Sequence, residues 1–399
     1  MKTRRENPIE VLVITFLLNA VIGMVWVGVP LFAIHLGAQP VALGTIGTAA
    51  SATYVLMAAA SGRLSDRWGK RFFLRISLLQ YAAALLALTR STTWQHLAIA
   101  MVVAVAASGM FWPSYMALFA DLAPSRGLSR FLSIYNVSWC AGAAAGSLVG
   151  GILAQIGYAA PFYVGAAITI GCSARLWYRG SGGAQQSTAP TDGQAAEPSP
   201  KANVFLILSW VGGFAVYFAA NAIRVLFPKL ALELGFGKAT VGTLLAVTWI
   251  TQTAAFAVLG VWQGWHYRLA PLMLLEFAAA GGVVAVAGAR RGALFALGFG
   301  IVGITAGLTY SSGYYYGMQR QTGKGQRAGL HEAISAAGSA AGPITAGLIA
   351  SATSLRASFI FCAGLIVTCA LAQPVLRGCL LARGALEDVR REYRSAGRT

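Results

Sequence analysis

Charged residues are scarce in this chain of 399 residues: they make up 11% of it, whereas soluble domains average about 25%. A soluble fold of this size needs far more polar surface, and the same composition excludes disordered, collagen-like and coiled-coil chains. Acids are the scarcest charges, with 12 Asp and Glu against 30 Lys and Arg. A basic protein can bind nucleic acid, but it does so through basic patches on a polar scaffold. Because 57% of the residues are hydrophobic, we predict a membrane protein with no nucleic-acid partner.

Groups that carry out catalysis are missing as well. The apolar segments contain no paired acids, no histidine cluster and no Ser/His pair in register, so we expect no enzyme, no cofactor and no metal. No Walker-type phosphate loop is present, so ATP is not expected to act directly. The five cysteines follow neither a disulfide nor a metal-site spacing and are interpreted as small packing residues. They are Cys140, Cys172, Cys362, Cys369 and Cys379.

Long apolar segments dominate what remains. A membrane-spanning helix needs about 20 mostly apolar residues, and twelve segments meet that length. No cleavable signal peptide is expected, because the first apolar run is too long. The predicted spans are roughly 9–34, 42–63, 72–89, 95–120, 130–154, 158–178, 203–228, 239–263, 269–288, 292–318, 328–351 and 356–381.

One stretch interrupts this pattern. Residues 180–202 are rich in Gly, Ser, Pro and Ala and are predicted to be a flexible cytoplasmic linker. The linker separates an N-terminal six-helix bundle (1–179) from a C-terminal six-helix bundle (203–382), and a basic cytoplasmic tail (383–399) follows.

Basic residues indicate the orientation of the chain. With a cytoplasmic N-terminus, 23 Lys and Arg lie on the inner side and 6 on the outer side, and Arg224 lies within a span. The positive-inside rule therefore places both termini in the cytoplasm. A multi-pass protein of a bacterial inner membrane is the predicted localisation.

The second half of the chain repeats the first. At an offset of 198 residues, Pro30 matches Pro228 and the Gly-Thr pair at 44–45 matches the pair at 242–243. A slip of two residues then matches Gly142 and Gly146 with Gly338 and Gly342. An all-α fold of two pseudo-symmetric six-helix bundles follows, with a site between them.

Two motifs resemble those of the major facilitator superfamily, and the resemblance covers the whole chain. The loop after the second span matches its motif A, with Lys70 at the first of two closing basic positions. The motif residues are Gly62, Asp66, Arg67, Gly69, Lys70 and Arg71. The fifth and eleventh spans look like its helix-packing motif C, which comprises Gly142, Gly146 and Gly150, then Gly338, Gly342 and Pro343. Ser147 stands where the fifth span usually has proline.

The resemblance implies alternating access between two halves, with motif A as a cytoplasmic latch. Asp66 would face the N-terminal end of the eleventh helix, where the helix dipole favours a carboxylate. Lys70 or Arg71 would reach Asp121. The alternative interpretation is that these residues are ordinary inside-positive loop charges.

Candidate substrate-cavity residues follow from the same comparison, because the first, fourth, seventh and tenth helices of this superfamily line the cavity. Arg224 is an ionisable residue within a span, which is a functional hypothesis by default, although it could instead snorkel to the outer headgroups. The aromatic members could equally be packing residues. The candidates are Asn19, Trp26, Trp112, Tyr115, Tyr217, Asn221, Arg224, Gln252, Tyr310 and Tyr314.

Two further acids lie in apolar segments. We expect Glu276 of the ninth span to pair locally at the periphery. His331-Glu332 is expected to open the eleventh helix, where Glu332 caps the helix, responds to Arg327 or belongs to an inner gate. The N-terminal half has no acid inside a span, so proton or ion coupling stays open.

The predicted function is secondary active transport of a small organic solute, amphipathic or anionic, with export slightly favoured. The alternative is a non-transporting membrane protein on the same fold, such as a sensor or assembly factor, or a lipid transporter. The expected partners are the small-molecule substrate and the lipid bilayer, and the chain is expected to be a monomer.

Overall fold

A computed structural model describes residues 8–120, 128–178, 200–318 and 324–396. For residues 8, 62–68, 70–71, 117–120, 128–133, 200, 324–326, 328 and 383–396 it describes the backbone alone. Within these ranges the chain forms twelve α-helices, as predicted. They are α1 (Pro8–His35), α2 (Pro40–Trp68), α3 (Lys70–Thr89), α4 (Trp94–Ala120), α5 (Leu128–Ile156), α6 (Ala160–Tyr178), α7 (Pro200–Glu233), α8 (Lys238–Leu259), α9 (Leu269–Gly288), α10 (Gly292–Met318), α11 (Lys324–Ala352) and α12 (Leu355–Ala396).

Eleven of the twelve described helices are long and apolar enough to cross a membrane. The exception is α6, whose 19 residues include Pro161 and the charged Arg175. Its neighbours are those of a bundle member, because it packs against α1 and α3. Many large apolar side chains point outward, among them Leu56, Leu274 and Val375, each about 70% exposed. Such surfaces suit a lipid environment.

The helix contacts of the N-terminal half (α1–α6) recur in the C-terminal half (α7–α12). In the first half α1 packs on α5 and α6, while α3 packs on α4 and α6; in the second half α7 packs on α11 and α12, while α9 packs on α10 and α12. The predicted pseudo-symmetry is therefore confirmed.

The turns after α1 and α7 show the repeat at atomic detail. Gly37 (φ 84°) and Gly235 (φ 82°) both adopt the left-handed conformation that glycine tolerates best. The following amides, of Ala38 and Phe236, each donate to a carbonyl five residues back at 2.9 Å. This is the bonding of a glycine helix cap, and it explains why Gly is needed at both positions.

The motif C glycines lie against neighbouring backbones. A Cβ on Gly146 would collide with the Ala20 carbonyl oxygen of α1, and a Cβ on Gly342 would collide with the Phe218 carbonyl oxygen of α7. Small residues thus let these helices approach closely. Similar approaches join Gly142 with Phe16, Gly338 with Phe214, and Gly150 with Met24.

Two equivalent interfaces join the halves at the end of the bundle away from the chain termini. At the α2–α11 interface, the Cα of Gly44 faces the carbonyl oxygen of Pro343. At the α5–α8 interface, Gly242 faces the carbonyl oxygen of Ser147. The repeat relates these two pairs, so the same backbone contact closes both sides.

The side chains at the two interfaces differ. At the α2–α11 interface, the Thr48 hydroxyl donates to the Ala340 carbonyl and accepts from the Ile344 amide at 3.1 Å, so it inserts into the α11 hydrogen-bond ladder. At the α5–α8 interface, Lys238 donates to the Ala154 carbonyl at 3.0 Å. These contacts bridge the halves and hold this end closed.

Candidate functional site

Arg224 of α7 lies where the two halves meet. Its Nη1 donates to the Asn221 side-chain oxygen at 2.9 Å. The guanidinium carbon lies 4.4 Å from the ring centroid of Trp249 on α8 and 5.7 Å from that of Trp26 on α1. Both are cation–π distances. The half-buried side chain thus contacts residues of both halves, and its role in binding a substrate stays a prediction.

Polar neighbours fix the orientation of this arginine. Asn221 donates to the Tyr217 carbonyl and to the Ser339 hydroxyl on α11, both at 2.9 Å. Its oxygen is thereby left to accept from Arg224. Gln252 of α8 is 2% exposed, and its Nε2 approaches the Tyr217 hydroxyl at 3.4 Å. The predicted α7 stripe and the predicted α8 glutamine thus form one cluster.

Glu332 of α11 forms a second polar centre. The hydroxyls of Tyr310 and Tyr314 on α10 donate to its Oε1 at 2.8 and 2.9 Å. The side chain is exposed to solvent. The His331 ring lies 5.1 Å from the ring centroids of both tyrosines, so three aromatic rings of the second half cluster beside the carboxylate.

The expectation that Glu332 caps a helix was wrong. The helix α11 begins at Lys324, so Glu332 lies more than two turns inside it, and the first turn holds no acid. Arg327 donates to the Asn203 side chain of α7 at 2.9 Å. Of the three predicted roles, membership of an inner gate stays a prediction.

An aromatic wall connects the two polar centres. The ring of Trp249 contacts Trp139 of α5 with centroids 5.7 Å apart, and Trp139 contacts Phe256 of α8 at 6.2 Å. Phe256 then contacts Tyr310 at 5.8 Å, and Tyr310 donates to Glu332. The contacts that lead from Arg224 to Glu332 therefore run through aromatic rings.

The other predicted cavity residues of the first half pack within that half. Trp112 and Tyr115 of α4 are buried in an apolar cluster with α1 and α3 residues. Tyr115 donates to the Val11 carbonyl at 3.0 Å, and Asn19 donates to the Thr15 carbonyl at 2.8 Å. The structure thus places these three residues in the packing of the first half: Tyr115 and Asn19 bond to the α1 backbone, and Trp112 is buried in the apolar cluster.

Glu276 lies in the second half, away from both polar centres. The residue is fully buried, and both of its carboxylate oxygens accept from Gln373 of α12 at 2.8 Å. A Cβ on Gly212 of α7 would collide with the same carboxylate. This arrangement is the expected local pair.

The latch residues of motif A lie largely outside the described residues. Gly69 is described: it is exposed, and its φ of 87° makes the one-residue turn between α2 and α3. Nothing is described of Asp121, and the side chains of the remaining motif residues lie outside the described part of the chain. They are Gly62, Asp66, Arg67, Lys70 and Arg71.

Reasoning from the sequence missed Trp139 and Trp249. Single aromatics in apolar spans are common, α5 was considered only for packing, and Gln252 was the one α8 residue considered for the cavity. One usable signal was the spacing of Trp249 and Gln252, which are three residues apart and so share a helix face.

The amino-acid sequence of the chain also matches a known family model. The model of the Major Facilitator Superfamily matches residues 11–324. The chain belongs to this superfamily. The resemblance drawn from motifs A and C is thereby confirmed.

A curated relative shares part of the sequence. The quinolone resistance protein NorA of Staphylococcus aureus is 24% identical over 155 residues, which is 39% of this chain and 40% of NorA. The matched region thus spans less than half of that relative's length.

Solved structures share the fold at low identity. A bacterial homologue of the human lysosomal transporter Spinster, in an inward-facing and unoccupied conformation, is 12% identical with a TM-score of 0.75, and 95% of this chain and 98% of that one are covered. The nucleoside transporter NupG is 14% identical with a TM-score of 0.71, covering 92% and 98%. These likenesses establish the fold alone.

Proposed function

We propose that this superfamily member is a secondary transporter that moves an amphipathic organic solute with an anionic group by alternating access. The observation that carries the proposal is the position of Arg224. Its guanidinium lies within cation–π distance of an indole of each half, Trp26 and Trp249. A guanidinium suits a carboxylate or phosphate, and the two indoles would cover the apolar part of the solute.

The surroundings of Arg224 depend on how the two halves are arranged relative to each other. Trp26 belongs to the first half and Trp249 to the second, so a rocking motion changes the distance between the two indoles. A solute bound at the guanidinium would contact both halves only when they close around it. This is the differential contact that couples binding to a change of conformation.

The proposed orientation of the chain in the membrane indicates to which side the described state opens. The split of 23 basic residues against 6 supports cytoplasmic termini. The halves touch at the opposite end, so the described state would be inward-facing. We place the protein in a bacterial inner membrane and favour export, which the motif C resemblance and the NorA relative's printed role in quinolone resistance support.

The latch and the domain boundaries belong to the same proposal. Asp66 would approach the start of α11, and Lys70 or Arg71 would reach Asp121, when the cytoplasmic end closes. The bundles would span 1–179 and 203–382, with 180–202 as a cytoplasmic linker and 383–399 as a cytoplasmic tail. The protein would act as a monomer. Transport measured under an imposed proton or ion gradient would show whether solute movement is coupled to that ion.

Transport by purified protein in proteoliposomes tests the proposal. Vesicles loaded with an aryl carboxylate should accumulate labelled solute by counterflow. Asp66→Asn should slow this exchange at least about tenfold, whereas the solute affinity of the variant should not change. A non-transporting protein would bind solute without exchange, and that result would overturn the proposal. A full rate in Asp66→Asn would remove the latch assignment alone.

A further inference from the structure

Arg224 and Glu332 are opposite charges that the protein does not neutralise with each other. Among the described residues, neither belongs to an ion pair. The described polar contacts of Arg224 are with a neutral amide and two indoles. Glu332 accepts from two phenols. Charges held within a membrane protein usually have a counter-charge or a functional reason for being there.

The bonding of Glu332 leaves room for another donor. Both phenols donate to Oε1, at 2.8 and 2.9 Å, so Oε2 remains available on an exposed side chain. A solute that reaches this carboxylate can therefore donate a hydrogen bond without displacing either tyrosine.

Aromatic rings around Glu332 favour a cation. His331 is buried beside it, with its ring centroid 5.1 Å from those of Tyr310 and Tyr314. Aromatic faces beside a carboxylate attract ammonium groups, because the ring quadrupole and the charge act in the same direction.

The aromatic wall connects this carboxylate to the guanidinium. Its ring-to-ring contacts of 5.7, 6.2 and 5.8 Å run from Trp249 to Tyr310, and the half-buried rings of Trp139, Trp249 and Tyr310 could contact an apolar or aromatic body. One elongated solute could therefore touch both charges and the wall between them.

We propose that Glu332 is the cation-binding end of the cavity and that the transported solute is zwitterionic. Its acidic group binds Arg224, its aromatic or apolar body lies along the wall, and its protonated amine donates to Glu332. This inference rests on the proposed function and adds the second charge of the solute.

Matched pairs of solutes test the inference on the purified full chain. We would measure dissociation constants for 4-(ω-aminoalkyl)benzoic acids of increasing chain length and for their N-acetyl analogues, which keep the acid but lose the cation. At one chain length the free amine should bind at least about tenfold more tightly than its analogue. Glu332→Gln should abolish this advantage and leave the affinity of the N-acetyl analogue unchanged.

Glu233→Gln is the control variant. It removes the same charge from an exposed residue at the end of α7, where Glu233 lies 3.8 Å from Lys229. This control should retain the full advantage of the free amine. The comparison of the two solutes on the unaltered protein needs no variant, so a folding defect in Glu332→Gln cannot obscure the answer.

The outcomes separate the two proposals. Equal affinities for amine and analogue at every chain length would overturn the cation-binding role, and so would an advantage that survives Glu332→Gln. In either case, Arg224-dependent binding of the analogue would leave the proposed function standing. If neither series binds in an Arg224-dependent way, both proposals fail.

Discussion

The walls of the two halves differ at equivalent positions. The register that places Arg224 and Glu332 in the second half places Trp26 and Asn136 at the same positions of the first. The glycine contacts, in contrast, are the same: Gly146 meets α1 as Gly342 meets α7. The two halves share these backbone contacts, but only the second half carries charged residues at the compared positions.

This difference suggests separate roles for the halves. The second half supplies the charged groups that would select the solute, and the first half supplies indole faces that close over it. Since Trp26 and Trp139 come from α1 and α5, a rigid-body movement of the first half would cover or uncover a site fixed mainly on the second.

The largest loss of stability is expected at the glycine contacts that the two halves share. Gly146→Val and Gly342→Val should both abolish most of the folded protein, because the added carbons would collide with the carbonyl oxygens of Ala20 and Phe218. The destabilisation should be about 2 kcal/mol or more in each half. Folded yield by size-exclusion chromatography and the unfolding midpoint measure it.

A glycine with free space on α12 is the control. A Cβ on Gly364 would meet nothing within 4 Å, so Gly364→Ala should fold normally. If one of the two motif glycines tolerated valine while the other did not, the halves would not share one packing scheme.

A smaller effect should distinguish the two closing interfaces. Thr48→Val removes the hydroxyl that inserts into α11, and the equivalent position of the second half is Ala246, which has no hydroxyl. Losing this bridge should weaken the α2–α11 interface by about 1 kcal/mol. Hydrogen exchange of amides near Ile344 should rise several-fold, and exchange at the α5–α8 interface should change less.

The reverse pattern would contradict this asymmetry. If amide hydrogen exchange in Thr48→Val became faster around Gly242 but did not change around Ile344, Thr48 would not stabilise the α2–α11 interface. Ala246→Thr is a further variant, and it should leave exchange at the α2–α11 interface unchanged.

Much of the fold could be predicted from the sequence, because its signals are strong and local. Long apolar runs predict the helices, and the constant offset from Pro30 to Pro228 predicts the two-fold arrangement. The α6 helix is less apolar than the other spans, because Pro161 and Arg175 lower the mean hydropathy of a short segment. Its bundle position is visible only from its packing on α1 and α3.

The sequence predicted the charge of the site and several members of the Arg224 cluster, namely Trp26, Asn221 and Gln252, but it did not predict the other two tryptophans. Arg224 stands out because it is basic in an apolar run. Trp139 and Trp249 do not, since only the approach of α5 to α8 brings them together. Glu332 was assigned to a helix start, because the sequence around it does not show that α11 begins at Lys324.

The most direct test of the central claim is the affinity of an aryl carboxylate and of its neutral amide for the purified protein and for Arg224→Met. Methionine keeps a long side chain between Trp26 and Trp249, so stacking contacts with the solute are largely preserved. The account predicts that the carboxylate loses at least about tenfold in affinity while the amide loses little. Equal losses for both solutes, or none for the carboxylate, would contradict it.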